Sequence, residues 1–357
     1  MIISRTPFRV SLFGGGTDLP AWYRKHGGSV IGGAIDKYCT ISLRTLPPFF
    51  QHRSRIVYSS IELVQSAEEI RHPSVRAVLM EMEVRNGVEI HHDGDLPARS
   101  GLGSSSSFTV GLLNAVYAYQ GRMVSKAELA AEAIRIEQEV IGEQVGCQDQ
   151  VWAAYGGLNR IDFHTDGSFE VTPLVLTRDR REELQGHFLL CFTGLSRFAS
   201  EIEKEKVANF AAREANLREM RAMVDAAADI LKSPNRSLEE LGRMLHESWL
   251  LKRGLSPNVS NTNIDAIYDA ARAAGALGGK LLGAGGGGFL LLCIPPERQA
   301  AVRKRLEHLI TLPFRFDSNG SKIVVYDPDD FERRPLSTDD ANTVHCPPAF
   351  ADSEALL

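Results

Sequence analysis

The sequence predicts an α+β protein of two domains, and three observations carry that prediction. Strand-like and helix-like segments are mixed in the first half, whereas the second half becomes helix-rich from Ser200 onward. A charged run, TRDRREE at 177–183, separates the halves. A length of 357 residues suits about two domains and a large core. The expected units are 1–178 and 179–328. Residues 329–357, with acids, prolines and no periodicity, read as a tail.

Each element follows from its pattern. Ile2–Phe13 and Ser29–Leu46 read as long strands joined by a glycine-rich turn and a short helix around Trp22. The stretch Pro47–Ser60 gives no clear pattern. Val88–His91 is strand-like and is followed by a helix with Phe108, Leu112, Ala115 and Tyr119 on one face. Another helix starts at Ser125, where Ser125 and Glu128 form a capping box, and ends near Gly142. Strands are expected around Leu158–Phe169 and Leu189–Phe192. Ser200–Leu231 reads as one long charged helix and Leu238–Arg253 as a second, capped by Ser237 with Glu240. A helix at Asn263–Ala274, a strand, a glycine run, a strand, a helix at Glu297–Leu309 and two closing strands complete the chain.

The most informative run is PARSGLGSSSS, Pro97–Ser107, set between a strand and a helix start. Glycines let backbone approach a ligand, and a helix start offers unpaired N–H groups and a positive dipole end. Together they make a phosphate cradle. The P-loop pattern G-x-x-x-x-G-K-[ST] is absent from the sequence. GAGGGG at 283–288 fits the dinucleotide fingerprint in letters only, since an apolar strand rather than a helix follows it.

Three segments in this order, TPFRVSLFGGGTDLP (Thr6–Pro20), Pro97–Ser107 and KLLGAGGGGF (Lys280–Phe289), resemble the three motifs of the GHMP kinases. The likeness spans about Ile2 to Asp327. Within that superfamily GGGTD, IEQEVIGEQVGCQDQ (Ile136–Gln150) and TGLSR (Thr193–Arg197) resemble the bacterial D-glycero-D-manno-heptose 7-phosphate kinases, with fucokinases close by.

The resemblance implies a ribosomal-protein-like N-terminal domain, a ferredoxin-like C-terminal domain, ATP as co-substrate and Mg²⁺. It implies nucleotide contacts from Arg99, Ser100, Gly101, Leu102, Gly103, Ser104, Ser105 and Ser106, and metal ligation by Ser105 and Glu137. Asp149 matches an aspartate near the acceptor hydroxyl and Arg9 the arginine beside it. Acceptor contacts are implied for Gly14, Gly15, Gly16, Thr17 and Asp18, with Gly285 and Gly286 from the third motif. Galactokinase-like sequences carry Glu-His where this chain has Gly15 and Gly16, so space opens for a larger or differently posed sugar. A phosphorylated acceptor needs a cation, for which Arg197 is the first candidate and Arg24 and Lys25 the second. Such a product, the 1,7-bisphosphate, would feed capsule or lipopolysaccharide biosynthesis.

Plainer alternatives stand beside these. Glu137 faces Ala130, Ala133 and Ile141 at helical spacing, against an exposed acid on a polar face. Arg9 and Asp149 could be an ion pair alone, and Gly14–Gly16 a tight turn alone. His91, His92, Asp93 and Asp95 have metal-like composition, but alternating strand residues splay to opposite faces. Trp22 and Trp152 read as core, and Cys147 as a buried thiol rather than an oxidisable one.

The net charge of −5 gives no field for nucleic acid or an anionic membrane. Five scattered cysteines without a C-x-x-C pair argue for free thiols in a reducing cytoplasm. The expected partners are a small-molecule sugar phosphate and, at most, a second copy of the chain as a homodimer.

Overall fold

A computed structural model describes residues 1–47, 49–194 and 199–328, with the side chains of 199–201 excepted. The tail, Cys346 and Arg197 lie outside the described residues. In the first half the strands are β1 (Ile2–Phe13), β2 (Gly28–Thr45), β3 (Ser54–Val57), β4 (Ile61–Val64), β5 (Val88–Gly94), β6 (Leu158–Phe163) and β7 (Phe169–Pro173). Helices α1 (Pro20–His26), α2 (Pro73–Glu81), α3 (Ser104–Tyr119), α4 (Lys126–Arg135) and α5 (Gln148–Tyr155) lie among them. The second half adds α6 (Arg178–Gly186), β8 (Phe188–Phe192), α7 (Ala199–Ala208), α8 (Glu214–Lys232), α9 (Leu238–Arg253), α10 (Thr262–Ala273), β9 (Gly278–Leu281), β10 (Phe289–Cys293), α11 (Gln299–Arg305), β11 (Ile310–Leu312) and β12 (Lys322–Tyr326).

An eight-stranded sheet runs β12-β1-β2-β5-β3-β4, with β6 and β7 attached to the other end of β2. Its pairings are antiparallel except β3 with β5. The length of β2 makes this branch: its first residues pair with β6 and its last with β5, while β1 lies along both parts. The second sheet is β11-β8-β10-β9. The two halves do not close separately. Strand β12 returns to pair with β1, and one core joins sheet residues such as Val10 and Ile31 to Leu217, Val224 and Leu241 of α8 and α9. A smaller core lies between the second sheet and α10, with Leu290, Ile264 and Tyr268.

Several boundaries differ from expectation. The uninterpreted stretch before Ser60 contains β3, whose four residues are too few to show alternation. The expected helix from Ser200 to Leu231 breaks after Ala208, passes through a short 3₁₀ turn at Ala211–Arg213, and resumes at Glu214. Charged residues on both sides of the break hid it. The capping box at Ser125 and Glu128 forms with both bonds in place. Ser237 does cap α9, but its hydroxyl accepts from the Glu239 N–H, while Glu240 pairs with Arg236. The helix expected at Glu297–Leu309 ends at Arg305.

Candidate active site

The loop between β5 and α3 takes its shape from three left-handed residues, Arg99 (φ 59°), Gly101 (φ 82°) and Gly103 (φ 76°). Glycine is needed at 101 for a second reason. A methyl carbon placed there would lie 2.6 Å from the carbonyl oxygen of Leu282. The loop thus docks directly on the third motif, and the Phe289 N–H bonds the Ser100 carbonyl at 3.0 Å. Gly103 starts α3 with no side-chain cap and no acidic residue in the first turn. That leaves first-turn N–H groups and a positive dipole end for an anion. Ser100 is buried and its hydroxyl has no protein partner. The side chain of Leu102 is core, and its carbonyl accepts from the Arg9 N–H at 3.0 Å.

Two carboxylates flank this loop. Arg9 on β1 grips Asp149 on α5 with both arms of its guanidinium, at 2.7 Å and 2.5 Å, and donates to the Gly101 carbonyl at 2.6 Å. The Asp149 side chain keeps 22% exposure while Arg9 keeps 4%, so the acid faces outward on a buried support. Bidentate pairing fixes the carboxylate in position as well as in charge. A methyl carbon on Gly103 would sit 3.3 Å from the Asp149 carboxylate, which places that acid against the start of α3.

Glu137 comes from a single π-helical turn, Ile136–Val140, closed by the Ile141 N–H to the Ile136 carbonyl at 2.9 Å. Such turns cluster at functional positions. The carboxylate is buried and accepts from Ser106 at 2.9 Å and Gln150 at 2.5 Å. Burial pushes it up to about 7, against the hydrogen bonds that favour its charged form. Its second oxygen, Oε1, makes no hydrogen bond of good geometry, although the Thr109 hydroxyl lies near enough to favour the charged form. An orphaned buried carboxylate oxygen is a poor structural element and a good cation ligand, so the residues fit a hard divalent ion. Ser106, rather than Ser105, supplies the hydroxyl on Glu137; Ser105 is exposed, one position earlier.

The GGGTD turn is built by backbone strain and by Thr17. Gly14 and Gly16 sit at φ 82° and 101°. Thr17 is fully buried, donating to the Gly14 and Ser29 carbonyls at 2.8 and 2.9 Å and accepting from the Ser29 N–H. Its hydroxyl is thus used within the turn. Asp18 accepts from the N–H groups of Gly16 (2.9 Å) and Gln148 (3.3 Å). Burial, then the Asp149 charge, push it up to about 6. Gly285 and Gly286 fold onto Val259, where the Gly286 N–H bonds the Val259 carbonyl at 2.9 Å. Arg24 stacks over Tyr23 and reaches the Asp166 carbonyl.

Sequence reasoning missed the lysines. Lys280 donates to the Leu12 carbonyl at 3.0 Å, and Lys252 to those of Leu281 (2.8 Å) and Gly283 (2.6 Å). Lys206 pairs with Glu203 at 2.7 Å, and all three lysines are buried. A signal existed at Lys252, which stands four residues after buried Ser248 and seven after buried Leu245 on α9. Gln150, the second side chain on Glu137, was also passed over. On β5 the two histidines diverge, His91 meeting the Glu89 carboxylate and His92 the Phe108 ring. Cys39, Cys147, Cys191 and Cys293 are free and buried, and burial pushes Cys147 up to about 12. Among the described residues no helix is long and apolar enough to cross a membrane.

Comparison with known proteins agrees with this arrangement. Residues 63–157 match the GHMP kinases N terminal domain and 223–310 the GHMP kinases C terminal model. The chain is 30% identical to the D-glycero-alpha-D-manno-heptose 7-phosphate kinase of Campylobacter jejuni, over 90% of this chain and 98% of that one. It is 25% identical to a bifunctional fucokinase/GDP-fucose pyrophosphorylase of Arabidopsis thaliana, over 84% of this chain but 30% of that protein. In fold it is similar to the crystal structure of a D-glycero-D-manno-heptose 1-phosphate kinase from Bacteriodes thetaiotaomicron, with a TM-score of 0.69, 23% identity, and coverage of 92% of this chain and 100% of that one. The chain belongs to the GHMP kinases and is an ATP-dependent phosphotransferase of that family.

Proposed function

We propose that the protein is a sugar kinase that transfers the γ-phosphoryl group of ATP to the anomeric hydroxyl of D-glycero-D-manno-heptose 7-phosphate, giving the 1,7-bisphosphate and ADP. One observation carries the reading. Asp149, clamped by Arg9, lies against Gly103 of the α3 loop, and its neighbour Gln148 bonds Asp18 of the turn, an arrangement that supports one acid reaching an acceptor hydroxyl next to a bound triphosphate. The chemical kinship with the Campylobacter jejuni relative supplies the sugar.

In the transfer, the acceptor oxygen bonds the γ-phosphorus, the bond from that phosphorus to the β,γ-bridging oxygen breaks, and the hydroxyl proton passes to an Asp149 oxygen. Arg9 holds the direction of that oxygen through its two hydrogen bonds. Asp18 accepts hydrogen bonds from sugar hydroxyls. Gly101, Gly103 and the first turn of α3, with Ser100, Ser104 and Ser105, bind the phosphates through N–H and hydroxyl groups. Glu137, backed by Ser106 and Gln150, would hold Mg²⁺ with the Ser105 hydroxyl. When bound, the ion neutralises charge on the phosphates. Transfer of this kind rests on positioning and electrostatics, which suits so rigid a support for Asp149.

Steady-state rates with ATP and Mg²⁺ on heptose 7-phosphate, unphosphorylated heptose and L-fucose test the proposal. Heptose 7-phosphate should give the highest kcat/KM; a higher value for L-fucose would transfer the assignment to a fucokinase-like activity.

A further inference from the structure

Among the three glycines of the GGGTD turn, Gly15 alone has no conformational reason to be glycine. Its neighbours Gly14 and Gly16 sit in the left-handed region and Gly15 does not. Nor does crowding require it. A methyl carbon on Gly15 would meet nothing closer than 3.6 Å, and its three nearest neighbours are polar: the Ser11 hydroxyl at 3.6 Å, the Gln148 amide nitrogen at 3.8 Å and the Lys280 ammonium at 4.0 Å. Ser11 is 5% exposed and its hydroxyl has no partner. Lys280 is 2% exposed and spends one N–H on the Leu12 carbonyl. Among the described residues no carboxylate lies within 4.0 Å of its ammonium, in contrast to Lys206 with Glu203 and Arg9 with Asp149.

A buried ammonium without a counter-ion is costly, and a neutral donor could serve the Leu12 carbonyl as well. The cationic surroundings raise that cost: the charges of Arg9 and Lys206 both oppose the Lys280 ammonium, and the Asp18 carboxylate offsets them only in part. Lys252 adds another buried cation to the group, again held by carbonyls alone. The Lys280 ammonium, the Ser11 hydroxyl and the Gln148 amide converge on the side of Gly15 that a side chain would occupy, and form a seat for an anion with several oxygens.

We propose that Lys280, Ser11 and Gln148, converging on the bare face of Gly15, bind the phosphate that the acceptor already carries. The proposal rests on the reading of the acceptor as a sugar phosphate and names the residues that select it. The γ-phosphoryl group of ATP offers the same oxygens, so the experiment separates the two sources.

Inorganic phosphate is the probe. In the wild type it should inhibit competitively against the sugar phosphate and not against ATP. Lys280→Met should weaken that inhibition about 10- to 100-fold and raise KM for the sugar phosphate by a similar factor, the loss expected for one or two charge-assisted hydrogen bonds. The preference for phosphorylated over unphosphorylated sugar should collapse toward unity. Gly15→Ala, which the backbone accommodates, should shift the same preference in the same direction by about 5-fold or more, equivalent to roughly 1 kcal/mol, and so answers for Lys280→Met if that variant fails to fold. An unchanged preference in both variants, or a rise in KM for ATP alone, overturns the proposal. Should the wild type ignore heptose 7-phosphate yet lose phosphate inhibition on Lys280→Met, the sugar assignment fails and the anion seat stands. Turnover of heptose 7-phosphate with its preference intact in both variants gives the converse.

Discussion

On the side proposed for the nucleotide, the site is made mostly of backbone; on the side proposed for the acceptor, it is made of side chains, most of them buried. The α3 loop presents N–H groups that a helix start leaves unpaired anyway, and its glycines are fixed by positive φ and by contact with Leu282. The acceptor side gathers Arg9 and Ser11 from β1, Asp18 from the turn, Gln148 and Asp149 from α5, Lys252 from α9 and Lys280 from β9. Burying so many ionisable groups opposes folding, and a bound anion relieves the excess of positive charge. Backbone sites are cheap and local, while charged sites are assembled from distant residues and held under electrostatic tension.

The largest effect should come from the acceptor side. Asp149→Asn is expected to lower kcat by about 10²–10⁴ while leaving ATP affinity near the wild-type value. Rates and nucleotide titrations check it, and an unchanged kcat would remove Asp149 from the mechanism. Next come Glu137→Gln and Ser106→Ala. Each should raise the Mg²⁺ concentration for half-maximal activity by about 10- to 100-fold, the usual cost of disturbing a metal ligand's support. Ser105→Ala should shift the same curve; a shift with Ser106→Ala alone would move the hydroxyl ligand by one residue. Mg²⁺ should also raise Tm in the wild type and not in Glu137→Gln, a readout independent of turnover.

A pair of glycine substitutions sharpens the contrast. Gly103→Ala forces a side chain into φ 76° and sets a methyl 3.2 Å from Arg9 Cγ. It should lower stability by about 1–2 kcal/mol and reduce kcat through Arg9 and Asp149. Gly15→Ala should leave Tm near the wild-type value. Equal destabilisation in denaturation curves would show that both glycines serve the fold.

The smallest effect is a pH slope. Burial and the cations around it bring Lys280 down to about 7, from an ordinary value of 10.5. Between pH 7 and 10 the unfolded chain therefore keeps a proton that the folded chain has released, so stability rises with pH there, by at most about 1.4 kcal/mol per unit. Asp18 and Glu137 act in the opposite sense at lower pH. Their folded values, about 6 and about 7, exceed the ordinary ones, so stability falls as pH rises from 4 toward 7. Urea unfolding of the wild type and Lys280→Met at pH 7, 8 and 9 should give the shallower slope for the variant.

How much of this was legible follows the same divide. Pro97–Ser107 announced a loop running into a helix because glycine, serine and helical periodicity are local signals, and Arg9 and Asp149 were paired through the motifs that carry them. The π turn under Glu137 was not legible, since a one-residue change of helical pitch leaves the hydrophobic pattern nearly intact. Lys280 stood in plain view in KLLGAGGGGF, yet its meaning depends on Gly15 and Ser11, some 265 positions away. The return of β12 to β1 was equally hidden, because a five-residue strand does not name its partner.

The central claim is transfer of phosphate from ATP to the anomeric oxygen of a sugar that is already phosphorylated, and ³¹P NMR of the reaction mixture tests it most directly. With heptose 7-phosphate, ATP and Mg²⁺, the account predicts loss of the γ-phosphate signal and growth of an anomeric phosphate resonance coupled to H1, with the 7-phosphate resonance retained at equal area. An ATP spectrum that stays unchanged with heptose 7-phosphate but collapses with an unphosphorylated sugar would contradict it.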